Sequence, residues 1–263
     1  MPQIRNYAAR VVDMTPAGMA RLLRTDRATR LLRPLVNQVL PHQETSITVQ
    51  AGVGQGLRLC ILPQTEKYYW TGLHELHVQE ALQRELRPGA VLWDVGAHIG
   101  FTSLIASRLV GPTGRVEAFE PFPPNVERLA GSVGLNGFTN VTVHPQAITN
   151  RDGTALFHLH ESSLQGSLVE DPSAAAIKVA CETLDTVARR LPPPDLIKVD
   201  AEGAELDVLE GGRQFLMTVR PRLIVEFTTP DLLDQARRLL PTHVAAHLGQ
   251  TIGFSDRSSC RLD

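Results

Sequence analysis

Two apolar runs in this 263-residue chain end on an acid: Val91-Leu92-Trp93-Asp94, and Val116-Glu117-Ala118-Phe119-Glu120. After the first come Val95, Gly96, Ala97, His98, Ile99 and Gly100, then Leu104, Ile105 and Leu109 at helical spacing, so this stretch reads as strand, tight turn and helix. Gly96 and Gly100 let the backbone turn sharply and let a ligand approach main-chain N–H groups at a helix N-terminus. A loop of glycines alone suits the pyrophosphate of a dinucleotide. Asp94 sets a negative charge where that pyrophosphate would lie, which favours a cationic ligand, and Glu120 ends the next strand where it can hold a ribose diol. S-Adenosylmethionine, with its ammonium and sulfonium, meets both demands.

A third run, Lys198-Val199-Asp200-Ala201-Glu202-Gly203-Ala204-Glu205, carries the remaining chemistry. Strand alternation places Lys198 and Asp200 on one face, and a lysine on a central strand is seldom buried without an acid to pair with. An aliphatic hydroxyl that accepts a methyl group must lose its proton. Asp200 or Glu202 can take it as a general base, a role worth about 10²- to 10⁴-fold. The alternative is a divalent cation such as Mg²⁺ held by Asp200 and Glu226, lowering the hydroxyl's pKa; the direct role is favoured. Of His74, His77, His98 and His144, only His98 is kept, as a cofactor contact. Glu75 reads equally as a cofactor contact or as an acid at a helix N-terminus. Asn136 reads as a helix C-cap or as an adenine-side contact.

The elements that must position these groups follow from the pattern. Strands at Val91 to Asp94, Arg115 to Glu120 and Val141 to His144 alternate with helices through Leu109 and over Asn125 to Leu135, which demands a parallel sheet. Upstream, Ser46 to Gln50 and Leu57 to Leu62 form a hairpin across a glycine-rich turn. Tyr68-Tyr69-Trp70 leads into a helix over Leu76 to Leu86, its aromatics read as packing. Downstream, Thr154 to His158 and Ala176 to Ala180 pair as strands around the polar loop Glu161 to Leu168. The chain then runs through Asp195 to Asp200, a helix to Leu209, a strand at Arg222 to Phe227, a helix at Asp231 to Leu240 and closing antiparallel strands. Residues 1–45 form a helical extension with amphipathic helices over Pro16 to Leu40, and residues 46–263 form the main domain.

Composition bounds the function. Hydrophobic residues make up 43% of the chain and its net charge is -2. Residues 1–40 hold seven arginines against Asp13 and Asp26, a local +5 that leaves -7 on the remainder. The body of the chain therefore has no electrostatic footprint for nucleic acid. No run reaches the 18 apolar residues of a membrane span, no signal-peptide apolar region is present, and Cys60, Cys181 and Cys260 lie far apart, so the expected compartment is the cytoplasm. The arginine-rich segment is expected to pack on the core or to pair two copies as a homodimer.

The motifs together resemble the FkbM-type S-adenosylmethionine-dependent methyltransferases. The resemblance runs through Trp70-Thr71-Gly72-Leu73-His74-Glu75, Asp94 to Gly100, Phe119-Glu120-Pro121, Leu135-Asn136-Gly137, Gly166-Ser167-Leu168, Thr183-Leu184-Asp185 and Lys198 to Glu205, covering residues 68 to 227. His98 departs from the family's usual asparagine and Ala201 from its usual valine. The resemblance implies a Rossmann-like class I methyltransferase fold: a seven-stranded, mostly parallel sheet with helices on both faces. It also implies O-methylation of a small-molecule acceptor such as a sugar, glycolipid or natural product. In that sheet order Asp94, Lys198, Asp200, Glu202 and Glu226 converge at the switch point, with Glu75, Gly96, Ala97, His98, Gly100, Glu120, Pro121 and Asn136 on the cofactor side. Two other readings remain: a cofactor-binding scaffold without turnover, and a nucleic-acid methyltransferase. The second lacks the Asn/Asp-Pro-Pro-aromatic run or nucleophilic cysteine such enzymes need at the fourth strand.

Overall fold

The computed structural model describes residues 43–159, 166–168, 175–227, 230–241, 243–248 and 251–256. The helices expected over Pro16 to Leu40, the subunit contact expected of them and most of the loop from Glu161 lie outside the described residues.

The hairpin forms as β1 (Thr45–Thr48) and β2 (Arg58–Ile61), antiparallel with Thr45 opposite Ile61. Next comes a helix that the sequence pattern did not mark, α1 (Pro63–Thr71), with proline in its first turn and Gly72 in the left-handed conformation at its end. A Cβ on Gly72 would sit 1.9 Å from the Ala51 carbonyl oxygen, so only glycine lets α1 stop against the hairpin. The chain continues through α2 (Leu76–Glu85), β3 (Val91–Val95), α3 (Phe101–Val110), β4 (Arg115–Phe119), α4 (Pro123–Leu135) and β5 (Val141–His144). A side sheet follows: β6 (Ala147–Ile148), β7 (Gly153–Leu159), β8 (Gly166–Ser167) and β9 (Ala176–Glu182), in the order β6-β9-β7-β8. The last elements are α5 (Leu184–Val187), β10 (Leu196–Val199), α6 (Glu205–Gly211), α7 (Arg213–Val219), β11 (Arg222–Val225), α8 (Pro230–Leu239), β12 (His243–Leu248) and β13 (Thr251–Asp256).

The main sheet has seven strands in the order β12-β13-β11-β10-β3-β4-β5, parallel from β11 to β5, with β13 antiparallel at the other side. Alternation along each strand feeds two cores. Leu92, Val116, Leu196 and Ile224 pack with Val78, Ala81, Leu82, Leu104 and Ile105 of α2 and α3. Trp93, Val95, Ile197, Val199, Leu223 and Val225 pack on the opposite face with residues of α5 to α8. Trp93 is fully buried and stacks on Phe215 at 5.2 Å. Both faces are covered, as a parallel sheet requires. The expected sheet and its strand assignments are what the chain forms.

One buried ion pair fastens the upstream helix to this frame. Arg128 of α4, only 1% exposed, meets Glu66 of α1 at 2.6 Å and donates a second bond to Asn125. Glu66 also accepts the Leu62 N–H at the start of α1, so one carboxylate caps that helix and neutralises the arginine.

Candidate active site

Parallel register sets the chemistry at the carboxyl ends of four strands. Lys198 lies directly beside Asp94 in the β10–β3 pairing. One residue past β10, the Asp200 N–H bonds the Val95 carbonyl; one past β11, the Glu226 N–H bonds the Val199 carbonyl; one past β4, the Glu120 N–H bonds the His144 carbonyl. Because the chain moves from β3 toward β5 on one side and from β10 toward β11 on the other, a crevice opens between them. A cleft of about 290 Å³ fills it.

Among the described residues, three of the four non-glycine positions with positive φ line this cleft: Glu75 (44°), His98 (51°) and Glu202 (49°). Strained backbone of that kind persists where the surrounding structure holds it and collects at functional sites. His98 shows why its departure from asparagine is tolerated: both types enter the left-handed region more readily than most residues. Its N–H donates to Glu120 Oε2 at 2.9 Å and its Nδ1 pairs with the Tyr69 hydroxyl at 3.1 Å. Burial, reinforced by Arg128, depresses its pKa to about 3, so the ring is neutral and the 3.7 Å approach of Nε2 to Glu66 is not an ion pair.

In the cleft lining, Glu120 is 4% exposed and accepts bonds from the His98 and Phe122 N–H groups and from the Asn125 amide. A carboxylate has about four acceptor sites, so room for a further donor remains. Burial raises this acid to about 7 despite those bonds. Beside it, Pro121, Ala147, Ile148, Phe157 and Leu168 give an apolar wall, the last four from or beside the side sheet. At the other end stand Glu75, Asp200, Glu202 and Glu226, with Tyr68 and His74 alongside. One carboxylate oxygen each from Glu75, Asp200 and Glu226 lies within 4.8 Å of the other two. Glu75 is held down at about 2, where the hydrogen bond and charge of His74 and the charge of Lys198 overcome the upward push of burial. Glu226 is raised to about 7 by burial and by the Asp200 and Glu75 charges.

Several residues read from sequence as contacts do not reach the cleft. Asp94 is wholly buried and outside the cleft lining; its Oδ2 takes the Ser103 hydroxyl at 2.5 Å and its Oδ1, without a hydrogen-bond partner, lies 3.8 Å from Lys198. Lys198 is likewise buried, 3.0 Å from Asp200 and 3.4 Å from the Gly96 carbonyl, and does not line the cleft. Ala97 packs against Ala118 and Leu129. Gly100 N-caps α3 at φ 92°, where a Cβ would strike Leu129 at 2.2 Å. Asn136 caps α4, exchanges bonds with the backbone of Arg58 on the hairpin and does not line the cleft. Gly96 does line the cleft, and it is glycine for a second reason: a Cβ there would fall 1.8 Å from the Asp200 carbonyl oxygen.

Sequence reasoning passed over Asn125, Tyr68, Tyr69, Glu205 and the side-sheet wall. Glu205 had a signal, since it closes the Lys198 motif. Its Oε1 accepts the Ala201 and Gly203 N–H groups at 3.1 and 2.9 Å and so clamps the turn that carries Glu202.

Strand order and acid-ended strands define a class I methyltransferase. The Methyltransferase FkbM domain matches residues 94–249, more than half of the sequence. The chain belongs to the FkbM methyltransferase family. It is 32% identical over 158 residues to the hexuronic acid methyltransferase AglP of Haloferax volcanii, covering 55% of this chain and 59% of that protein. It is 30% identical over 193 residues to the AMB antimetabolite synthetase AmbE of Pseudomonas aeruginosa, covering 57% of this chain and 9% of that protein. The chain thus spans less than two thirds of the length of either relative. An FkbM methyltransferase crystal structure from Methylobacillus flagellatus KT overlays with a TM-score of 0.47 at 19% identity, covering 68% of this chain and 52% of that one.

Proposed function

We propose that the protein is an O-methyltransferase that moves the methyl group of S-adenosylmethionine to a hydroxyl of a small molecule. The observation that carries this reading is the cleft itself, which has a ribose-type acid, Glu120, at one end and a set of carboxylates at the other. The residues fit the cofactor: Gly96 lines the cleft with bare backbone, Glu120 keeps an acceptor position, and an apolar wall stands beside it for a purine. When bound, the cofactor supplies the electrophilic methyl of its sulfonium. The chain's own part is to orient and to accept a proton. Positioning alone is worth roughly 7 to 11 kcal/mol in such displacements. The carboxylate trio receives the acceptor hydroxyl, with Asp200 paired to Lys198 and Glu226 poised near neutrality to take the proton; Glu202 completes the wall. The hexuronic acid named for the Haloferax protein supports a sugar-like acceptor.

Calorimetry tests the cofactor assignment. S-Adenosylhomocysteine is expected to bind at micromolar concentration and NAD not at all; the reverse result would sink the assignment. Glu120→Gln is expected to weaken S-adenosylhomocysteine at least tenfold, about 1.4 kcal/mol. The same acid sets a pH dependence. A ribose hydroxyl donates to the ionised carboxylate, so affinity holds above about 7 and declines as pH falls below it, toward tenfold per unit. A flat profile from pH 8 to 5.5 would show that Glu120 does not hold the ribose.

A second reading has one observation in its favour: the clustered oxygens of Glu75, Asp200 and Glu226 suit a hard divalent cation. Against it, Lys198 already places a positive charge 3.0 Å from Asp200. Activity that survives a chelator supports the direct carboxylate role; activity abolished by the chelator and restored by Mg²⁺ supports the cation.

A further inference from the structure

Six carboxylates line the cleft: Glu75, Glu120, Asp200, Glu202, Glu205 and Glu226. Among the described residues that line it there is no lysine or arginine. The nearby cation, Lys198, is buried behind the wall and shared between Asp94 and Asp200. His74 offers partial relief at Glu75, 2.9 Å away, when it is protonated. Bound S-adenosylmethionine contributes a net single positive charge, from its ammonium and sulfonium against one carboxylate. Among the described residues that line the cleft, acids therefore outnumber cations at the acceptor end even with the cofactor in place.

Two further observations bear on what fills that end. Glu205 is 1% exposed and lines the cleft, yet its Oε2 has no hydrogen-bond partner, which leaves a buried acceptor in want of a donor hydrogen. Beside the acids the rings of Tyr68, Tyr69 and His74 form a cluster with centroids 4.5 to 4.7 Å apart, and Tyr68 and His74 also line the cleft. Aromatic faces next to carboxylates attract ammonium groups through ring quadrupole and charge together. A carboxylate on the acceptor would meet repulsion from several acids and, among the described residues that line the cleft, no lysine or arginine to pair with, and such repulsion is a means of excluding partners.

We infer that the acceptor is an amine-bearing hydroxyl compound, such as an amino sugar or amino alcohol, whose ammonium sits among Glu75, Asp200 and Glu226 while the neighbouring hydroxyl is methylated. This rests on the methyltransferase reading above and narrows it: the acceptor class differs in charge from the hexuronic acid of the Haloferax protein's name. In the reaction the sulfonium C–S bond breaks, the O–CH₃ bond forms, and the hydroxyl proton passes to a carboxylate of the trio.

The test uses the full chain with S-adenosylmethionine and a charge-graded panel built on common scaffolds: free amino sugars and amino alcohols, their N-acetyl counterparts, the parent hexoses, and hexuronic acids. Release of S-adenosylhomocysteine is the readout. Free amines are expected to exceed their N-acetyl counterparts by at least about tenfold in kcat/KM, with the advantage shrinking as salt is raised, and uronic acids are expected to be inert. Equal rates for amine and N-acetyl forms, a preference for a uronic acid, or no turnover by any amine while S-adenosylhomocysteine still binds would each overturn the inference. A deaminated S-adenosylhomocysteine separates the other source of an ammonium. If the trio instead holds the cofactor's own amine, this analogue loses tenfold or more in affinity and the amine preference among acceptors is absent. Failure to bind S-adenosylhomocysteine at all, measured without acceptor, condemns the methyltransferase reading rather than the acceptor class.

Discussion

Asp200→Asn is expected to lower turnover by about 10²-fold or more while S-adenosylhomocysteine affinity stays within about threefold. Asp200 stands within the carboxylate trio, its Oδ2 3.0 Å from Lys198 and its carboxylate in reach of both Glu75 and Glu226. Asparagine keeps the volume but removes the charge that the lysine, the acceptor proton and the raised Glu226 all depend on. The effect on Glu226 gives the prediction a second reading. Asp200 is one of the charges holding Glu226 up at about 7, so its loss lets Glu226 ionise at lower pH. If Glu226 takes the proton, the rate of the native protein rises as pH climbs through about 7, the residual rate of Asp200→Asn rises at a lower pH, and Glu226→Gln abolishes that limb. Turnover within threefold of native in Asp200→Asn would remove the carboxylate trio from the chemistry.

The sheet was legible because β3, β4, β10 and β11 each combine an apolar run with a turn or acid just beyond it. Glu120, Asp200, Glu202 and Glu226 were legible for the same reason: a residue just past the end of a parallel strand must sit at the carboxyl edge. Helix α1 was not, since Gln64, Thr65, Glu66 and Lys67 open it without an apolar period. The Arg128–Glu66 pair was invisible because its partners are 62 positions apart and each alone reads as a solvated charge. Asp94 misled in an instructive way. It lies within a strand rather than beyond it, so its carboxylate follows the pleat onto the buried face, where Lys198 of the neighbouring strand is in register with it. Its type was read correctly as a partner for a cation; the cation is the protein's own. Asn136 failed for a different reason, because a cap and a ligand contact call for the same side chain and only the hairpin's position decides between them.

That internal pair makes Lys198 a residue on which the fold depends. Lys198→Met is expected to destabilise the protein by about 3 to 5 kcal/mol, the cost of leaving a buried charge without its partner. Burial alone would push the lysine's pKa down, yet Asp200 and Asp94 more than reverse this, so the ammonium is charged in the folded state. Asp94 is already raised by burial, with Lys198 opposing, and methionine removes that opposition. In the variant the folded state therefore binds a proton at Asp94 that the unfolded chain releases at its ordinary carboxylate pKa. Stability falls as pH rises across the interval between those two values and recovers as pH is lowered into it. Denaturant unfolding at pH 7 and pH 5 reads this directly: the deficit of Lys198→Met is expected to be smaller at pH 5, and Asp94→Asn added to Lys198→Met is expected to restore much of the loss at pH 7. A single variant as stable as native at both pH values would mean that the charge pairing across β3 and β10 does not hold the strand ends together, and the convergence of acids at the cleft would have to be explained without it.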